Sequence, residues 1–255
     1  MSIDPRIAAR RSEVREVEAR ADARRSLWWL GALVVVGLAA WVAQGPIFSI
    51  RYLEVVGVER SDPIVALAGG GITEGRPMLL MRSDVALELL RSDPWVVDAH
   101  IDVAYPDRVT VQVVERRPAL LVRSDAGGFV VGHDGVVVAR STDVDGSLPF
   151  ADVPAAGPGR VGFPADAASA GLTEFVTGLP VGLARAGAAE VRDGEVWFLL
   201  PDLAVRLGRP VEMAAKAAVL AALVEEGVEP GSVVHLVTPR RPAVEPPSPG
   251  SDPTD

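Results

Sequence analysis

No cysteine occurs among the 255 residues. That absence excludes disulfide frameworks, Cys-ligated zinc, iron–sulfur clusters and cysteine nucleophiles together. Lysine occurs once, at Lys216, while arginine is plentiful, which with the richness in Ala, Val, Gly and Pro reads as compositional bias. Histidine is scarce: His100, His133 and His235 lie far apart and form no HExxH pair, so a His-based metal site has no support. Positive charge is in deficit, with a net charge of −9 and a pI near 4.9, which argues against nucleic acid as a partner. Apolar side chains are not in deficit. They make up 49% of the chain, and the mean hydropathy of +0.26 directs attention to a membrane segment.

Charge is unevenly spread. Residues 1–26 hold seven Arg against five acids, whereas the remaining 229 carry 18 basic and 29 acidic groups. Between them no charged side chain occurs from Ser26 to Ile50. The apolar centre, Leu27 to Ala43, is 17 residues long and extends to 22 at Phe48. At 1.5 Å per residue, ~20 residues cover a ~30 Å hydrocarbon layer. Trp28, Trp29 and Trp41 sit near its two ends, where amphipathic rings favour the headgroup zone, and Pro46 stops the helix. A buried core helix would show a polar stripe, and a signal peptide would have a shorter apolar region with small residues before its cut site. The segment 27–47 therefore reads as a transmembrane helix. Arg clustered before it makes residues 1–26 a cytoplasmic basic tail and places the rest outside the cytoplasm.

The extracytoplasmic part divides into two blocks. Over 48–118 the pattern is β-α-α-β-β. Ile50–Val58 alternates as a strand; Asp62-Pro63 opens a short helix that Gly69–Gly71 stops; Ser83 and Asp84 cap a second helix through Arg91. Trp95–Ala104 and Val109–Glu115 alternate as two strands of a hairpin joined by Tyr105–Arg108. Over 119–240 the reading is a mainly antiparallel β domain with two helices. Its strands include Ala119–Val122, Phe129–Val131 and Val136–Ala139, then a meander over 189–207, with helices over 166–177 and 211–226. Pro149–Pro164 reads as an ordered loop, and Ser232–Val237 as a final short strand. Residues 241–255 contain little that is apolar and read as a disordered tail.

At this point the residues carry a resemblance. The run WVVDAHIDVAYPDRVTVQVVERRPA over 95–119 resembles the POTRA domain of the bacterial division proteins FtsQ, called DivIB in some lineages. The matching positions include Trp95, Tyr105, Pro106, Glu115, Arg116 and Pro118, with Val109, Val111 and Val113 between them. Each has a structural explanation: a turn, a core face, a strand end. Their ordered spacing behind a single apolar segment carries the likeness. It continues into Leu207-Gly208, a helix with internal Lys216, and Pro239-Arg240-Arg241-Pro242. His235 departs from it, since the family usually has Asp there.

A search for chemistry returns little. There is no GxSxG elbow and no Walker A; Met213 stands three positions before the only lysine, so SxxK is absent. Asp134 beside His133 on a tight turn is badly placed to orient a base. No catalytic residue, cofactor or metal site is expected, and the chain reads as a non-enzyme. Ser232, Val233, Val234, His235, Leu236 and Val237 either close a sheet internally or form its edge, where unpaired N–H and C=O groups accept a partner's strand. The FtsQ resemblance implies the second use: the family's C-terminal end recruits the small single-span proteins FtsB and FtsL, and its POTRA part serves localisation and contacts with other septal membrane proteins. The function implied is a membrane-anchored assembly protein of the division complex. The alternative is a membrane-tethered envelope enzyme, or a secretion or assembly factor carrying a POTRA module.

Overall fold

Alternation of apolar and polar side chains builds the first sheet. The structure, a computed structural model, describes residues 25, 27–38, 41, 48–141, 148–153 and 157–247. Strands β1 (Tyr52–Val56), β2 (Val96–Ala104) and β3 (Arg108–Glu115) form a three-stranded sheet in the order β1-β3-β2. Val109, Val111 and Val113 of β3 are all buried, as their period of two requires. Helices α1 (Pro63–Gly69) and α2 (Ser83–Arg91) precede the hairpin, with a 3-10 turn at Met78–Leu80 between them. Ala86 and Leu90, four residues apart on α2, bury one face; Asp84 in its first turn and Arg91 in its last complement the helix dipole. The β-α-α-β-β order expected from the sequence is the order observed.

The second sheet has nine strands. In chain order these are β4 (Pro118–Ser124), β5 (Gly127–Gly132), β6 (Val137–Ser141), β7 (Phe150–Asp152), β8 (Ala188–Arg192), β9 (Glu195–Leu200), β10 (Leu203–Gly208), β11 (Ser232–His235) and β12 (Ala243–Glu245). Their spatial order is β12-β11-β10-β9-β8-β7-β4-β5-β6. Helices α3 (Ala167–Gly178), α4 (Val181–Ala186) and α5 (Met213–Glu226) accompany them. Asp166 caps α3 by accepting a hydrogen bond from the Ser169 amide at 3.0 Å. Leu172, Phe175 and Val176 of α3 and Met213, Ala217 and Leu220 of α5 share one core with Leu120, Val131, Phe198, Val205 and Val234 of the sheet. Phe175 meets Phe198 edge-on, with ring centroids 5.2 Å apart.

Three expectations are corrected. Pro149–Pro164 is not a loop throughout: Phe150–Asp152 is a strand lying parallel to both β4 and β8. Three residues paired with partners 29 and 38 positions away leave no local periodicity to read. A third, short helix, α4, stands beside the two expected. The supposed disordered tail contains β12, which pairs antiparallel with β11 (Val234 opposite Val244); residues 248–255 lie outside the described residues.

The basic tail over 1–26, apart from Arg25, and part of the apolar segment also lie outside them. Residues 27–38 are helical, and their large apolar side chains, such as Trp28 and Leu33, are exposed. Among the described residues no helix is long and apolar enough to cross a membrane. Two compact units interleave along the chain: Ile64–Ala86 and Ile101–Val111 group with residues up to Val55, and Val56–Pro63, Leu87–His100 and the chain from Gln112 form the other.

Candidate interaction site at the last strands

The C-terminal strands are positioned by a strand–helix–strand unit. β10 runs antiparallel to β9, α5 carries the chain back, and β11 then lies parallel to β10, with Val205 opposite Val234 and Arg206 opposite His235. Alternation along β11 is as the sequence implies. Ser232, Val234 and Leu236 are buried in the core, Val233 and His235 are half-buried, and Val237 is exposed. Only the second set is within a partner's reach by side chain. The backbone of β11 is flanked on both sides, by β10 and by β12, so it is not the sheet edge. The edge is β12. Its three residues are all exposed, and Pro242 and Pro246 bracket it. Proline cannot donate to a ladder, which holds this edge short.

Two residues singled out by the family pattern brace this unit from below. Lys216 is 2% exposed, and its Nζ donates to the carbonyls of Leu207 at 2.7 Å and Arg209 at 2.9 Å. Burial pushes the pKa of this ammonium below its ordinary value, with Glu212 partly opposing the shift. The side chain thereby ties α5 to the end of β10. Gly208 lies in that end at φ +67°, and a Cβ there would approach the Val237 methyls to 3.3 Å. Pro239 and Pro242 lie in the link between β11 and β12. Across β11 and β12, His235 Nε2 lies 3.2 Å from Glu245 Oε2. The neighbouring Arg206 makes a bidentate pair with Glu195, at 2.7 and 2.9 Å, and lies over Trp197. The Arg206 hydrogen bonds and charge hold the Glu195 carboxyl below its usual range.

The remaining pattern residues gather elsewhere, at the end of β3. Burial would raise the pKa of Glu115, but hydrogen bonds from the Ser61 hydroxyl (2.6 Å) and from the Ser61 and Arg60 amides outweigh it and lower the pKa. Arg116 donates from Nε to Asp134 at 2.7 Å and from Nη1 to the carbonyls of Pro94 and Val96, while its amide bonds the Trp95 carbonyl. Arg60 lies 5.4 Å above the Trp95 ring. Asp134 is therefore engaged by Arg116, and its other oxygen accepts from the Val136 amide. Pro118 opens β4. Tyr105 and Pro106, joined by a cis peptide bond, sit apart from all of these at the hairpin tip. Among the described residues no group of three or more His, Asp or Glu could hold a metal ion.

Known proteins share part of this pattern. Residues 48–116 match the model of the FtsQ-type POTRA domain. The chain is 28% identical over 116 residues to the cell division protein FtsQ of Corynebacterium glutamicum, covering 46% of this chain and 51% of that one. It is 25% identical over 249 residues to the FtsQ of Mycolicibacterium smegmatis, covering 95% of this chain and 69% of that one. The chain thus carries an FtsQ-type POTRA match over 48–116 and is similar to cell division proteins named FtsQ. It spans about half the length of the first curated FtsQ relatives it matches. The major extracytoplasmic domain of DivIB from Geobacillus stearothermophilus also matches, at a TM-score of 0.31 and 16% identity, over 45% of this chain and 98% of that domain.

The part of the site that the sequence pattern does not reveal is the edge itself. Ala243-Val244-Glu245 alternates, but three residues between prolines fall below any periodicity threshold. The available signal was β-branched Val244 between the two breakers.

Proposed function

We propose that this chain is a non-enzymatic assembly protein of the bacterial division complex. In this reading the segment 27–47 anchors it in the cell membrane, residues 1–26 stay cytoplasmic, and the folded part links septal membrane proteins outside. The FtsQ-type POTRA match and the similarity to FtsQ proteins support the division role. Exposed apolar side chains along helical residues 27–38 support the anchor, since a water-facing surface of Trp28, Trp29, Leu30 and Leu33 has no other stable environment here. The domains are then a POTRA-like module over 48–118 and a β domain over 119–240, to which β12 is added.

The observation that carries the docking mode is the place of β12 at the end of the nine-strand order. Its outer N–H and C=O groups take no backbone bond among the described residues. An FtsB- or FtsL-like single-span protein would add a strand here, with main-chain bonds setting register and Val233, His235, Val237 and Val244 setting specificity. Because β11 is internal, deleting it would tear the core; ending the chain after Pro242 is the clean test. Co-purification with FtsB- and FtsL-like partners should be lost while the thermal transition persists. Undiminished association would place the docking surface elsewhere. Topology is tested by reporter fusions: an N-terminal fusion should be active only in the cytoplasm and a C-terminal one only outside.

A further inference from the structure

We propose that the loop joining α1 to α2 is a headgroup-binding surface for anionic phospholipid, seated on the membrane beside the anchoring segment. Four observations converge on it. The loop is tied to the chain as that chain leaves the apolar segment: the Ile50 amide donates to the Arg76 carbonyl (2.9 Å), the Gly75 amide donates to the Ile50 carbonyl (2.8 Å), and Ser49 bridges Pro77. At ~3.5 Å per residue, Ile50 lies within about 7 Å of Phe48, where the apolar run ends, so the loop cannot be far from the bilayer surface.

Beneath the loop is a half-open cavity of about 190 Å³, lined by Gly69–Gly71, Pro77, Leu80, Arg76 and Arg82. No acid lines it; Glu74 and Asp84, each two residues from one of the arginines, are not among the lining residues. Both arginines are exposed, and among the described residues neither guanidinium has an ion-pair partner. Between them project Leu79 and Leu80, 56% and 60% exposed, and on α1 of the same compact unit Ile64 and Val65 are 71% and 76% exposed.

Arg flanking paired Leu is the pattern of a surface that lies in the interface. The guanidinium fork bonds phosphate oxygens in bidentate fashion, and leucine enters the acyl boundary. Bulk water around this loop would leave both pairs of apolar side chains hydrated and both cations without a counter-charge. Contact with a phosphatidylglycerol-type headgroup resolves the two together.

The inference rests on the membrane-anchor reading, and its test separates the two. The full chain lacks cysteine, so Leu79→Cys takes a single environment-sensitive label. Labelled protein is placed in nanodiscs of phosphatidylcholine alone or with one third phosphatidylglycerol, each with nitroxide-headgroup lipid as quencher. A chain that fails to enter nanodiscs refutes the anchor reading and this proposal with it. When the chain enters, quenching should be stronger in the anionic discs and should fall about fivefold for each of Arg76→Gln and Arg82→Gln. Contact on the α1 side is followed with a second label at Val65→Cys, which should be quenched in parallel. Entry with no quenching at either position overturns the surface while leaving the anchor intact. Quenching equal in both lipids, and unchanged by the Arg substitutions, overturns the headgroup site.

Discussion

The two edges of the nine-stranded sheet end by different means. At the β6 edge, the Val137 amide donates to Phe163 O (3.0 Å), Gly162 donates back to Val137 O (2.8 Å), and Val136 bridges Pro164. A loop from the same domain thus occupies the start of that edge, at Val136 and Val137. At the other edge β12 offers three residues with no such cover, and only the flanking prolines limit it. An edge covered at its start cannot add a strand along its full length without first losing bonds, whereas an uncovered short one can do so with no rearrangement. The contrast teaches that the two edges are not equivalent docking options, and the uncovered one is the candidate.

The contrast is most severely tested at Lys216. Lys216→Ala should lower stability by about 2 to 4 kcal/mol, because it leaves a cavity and deprives two buried carbonyls of their donor. Urea unfolding measures the loss, and hydrogen exchange should place it in β10–β12 and not at β6. The wild-type protein should also grow more stable on this account as pH rises. Below the lowered folded pKa both states are protonated and the cost of the buried charge is fully present. Between that pKa and the ordinary 10.5 the unfolded chain holds the extra proton, so the cost is progressively relieved. Lys216→Met should abolish that rise.

Gly162→Pro attacks the opposite edge. It removes the donor to Val137 and demands a negative φ where the glycine has +86°, a cost of about 3 kcal/mol confined to the loop. With β6 uncovered, sedimentation should show concentration-dependent self-association that the parent lacks. A protein that stays monomeric would mean that the loop is not what guards this edge.

Removing β12 by ending the chain after Pro242 should cost less, about 1 to 2 kcal/mol for the few ladder bonds lost. Thermal melting reads this directly. The smallest effect is expected at His235→Asp, which restores the residue usual in the family but sets a carboxylate diagonally across from Glu245. Repulsion of about 0.5 kcal/mol should show as faster amide exchange confined to Ala243–Glu245.

The POTRA-type module was legible because each of its elements carries its own signal. The valines of β3 alternate, Asp62-Pro63 and Ser83-Asp84 begin helices, and Tyr105–Arg108 turns a hairpin between adjacent strands. β7 and β12 were not legible. Both are three residues long and depend wholly on partners that other segments supply. The candidate site shared this division: the facing of Ser232–Val237 followed from its period of two, but whether that strand lies at the edge depended on β12. Lys216 was marked by pattern alone, and only its bonds to Leu207 and Arg209 explain it.

By itself the sequence determined the apolar segment, the charge asymmetry around it, the periods of the longer strands and helices, and the likeness to FtsQ-type POTRA domains. Those are properties of neighbours along the chain, fixed by side-chain chemistry and backbone geometry at short range. The tertiary structure decided which strand ends the sheet, which edge is covered, and that Arg76 and Arg82 share a cavity beside Ile50. These depend on pairings between distant segments, whose free energy is realised only when the whole sheet has formed.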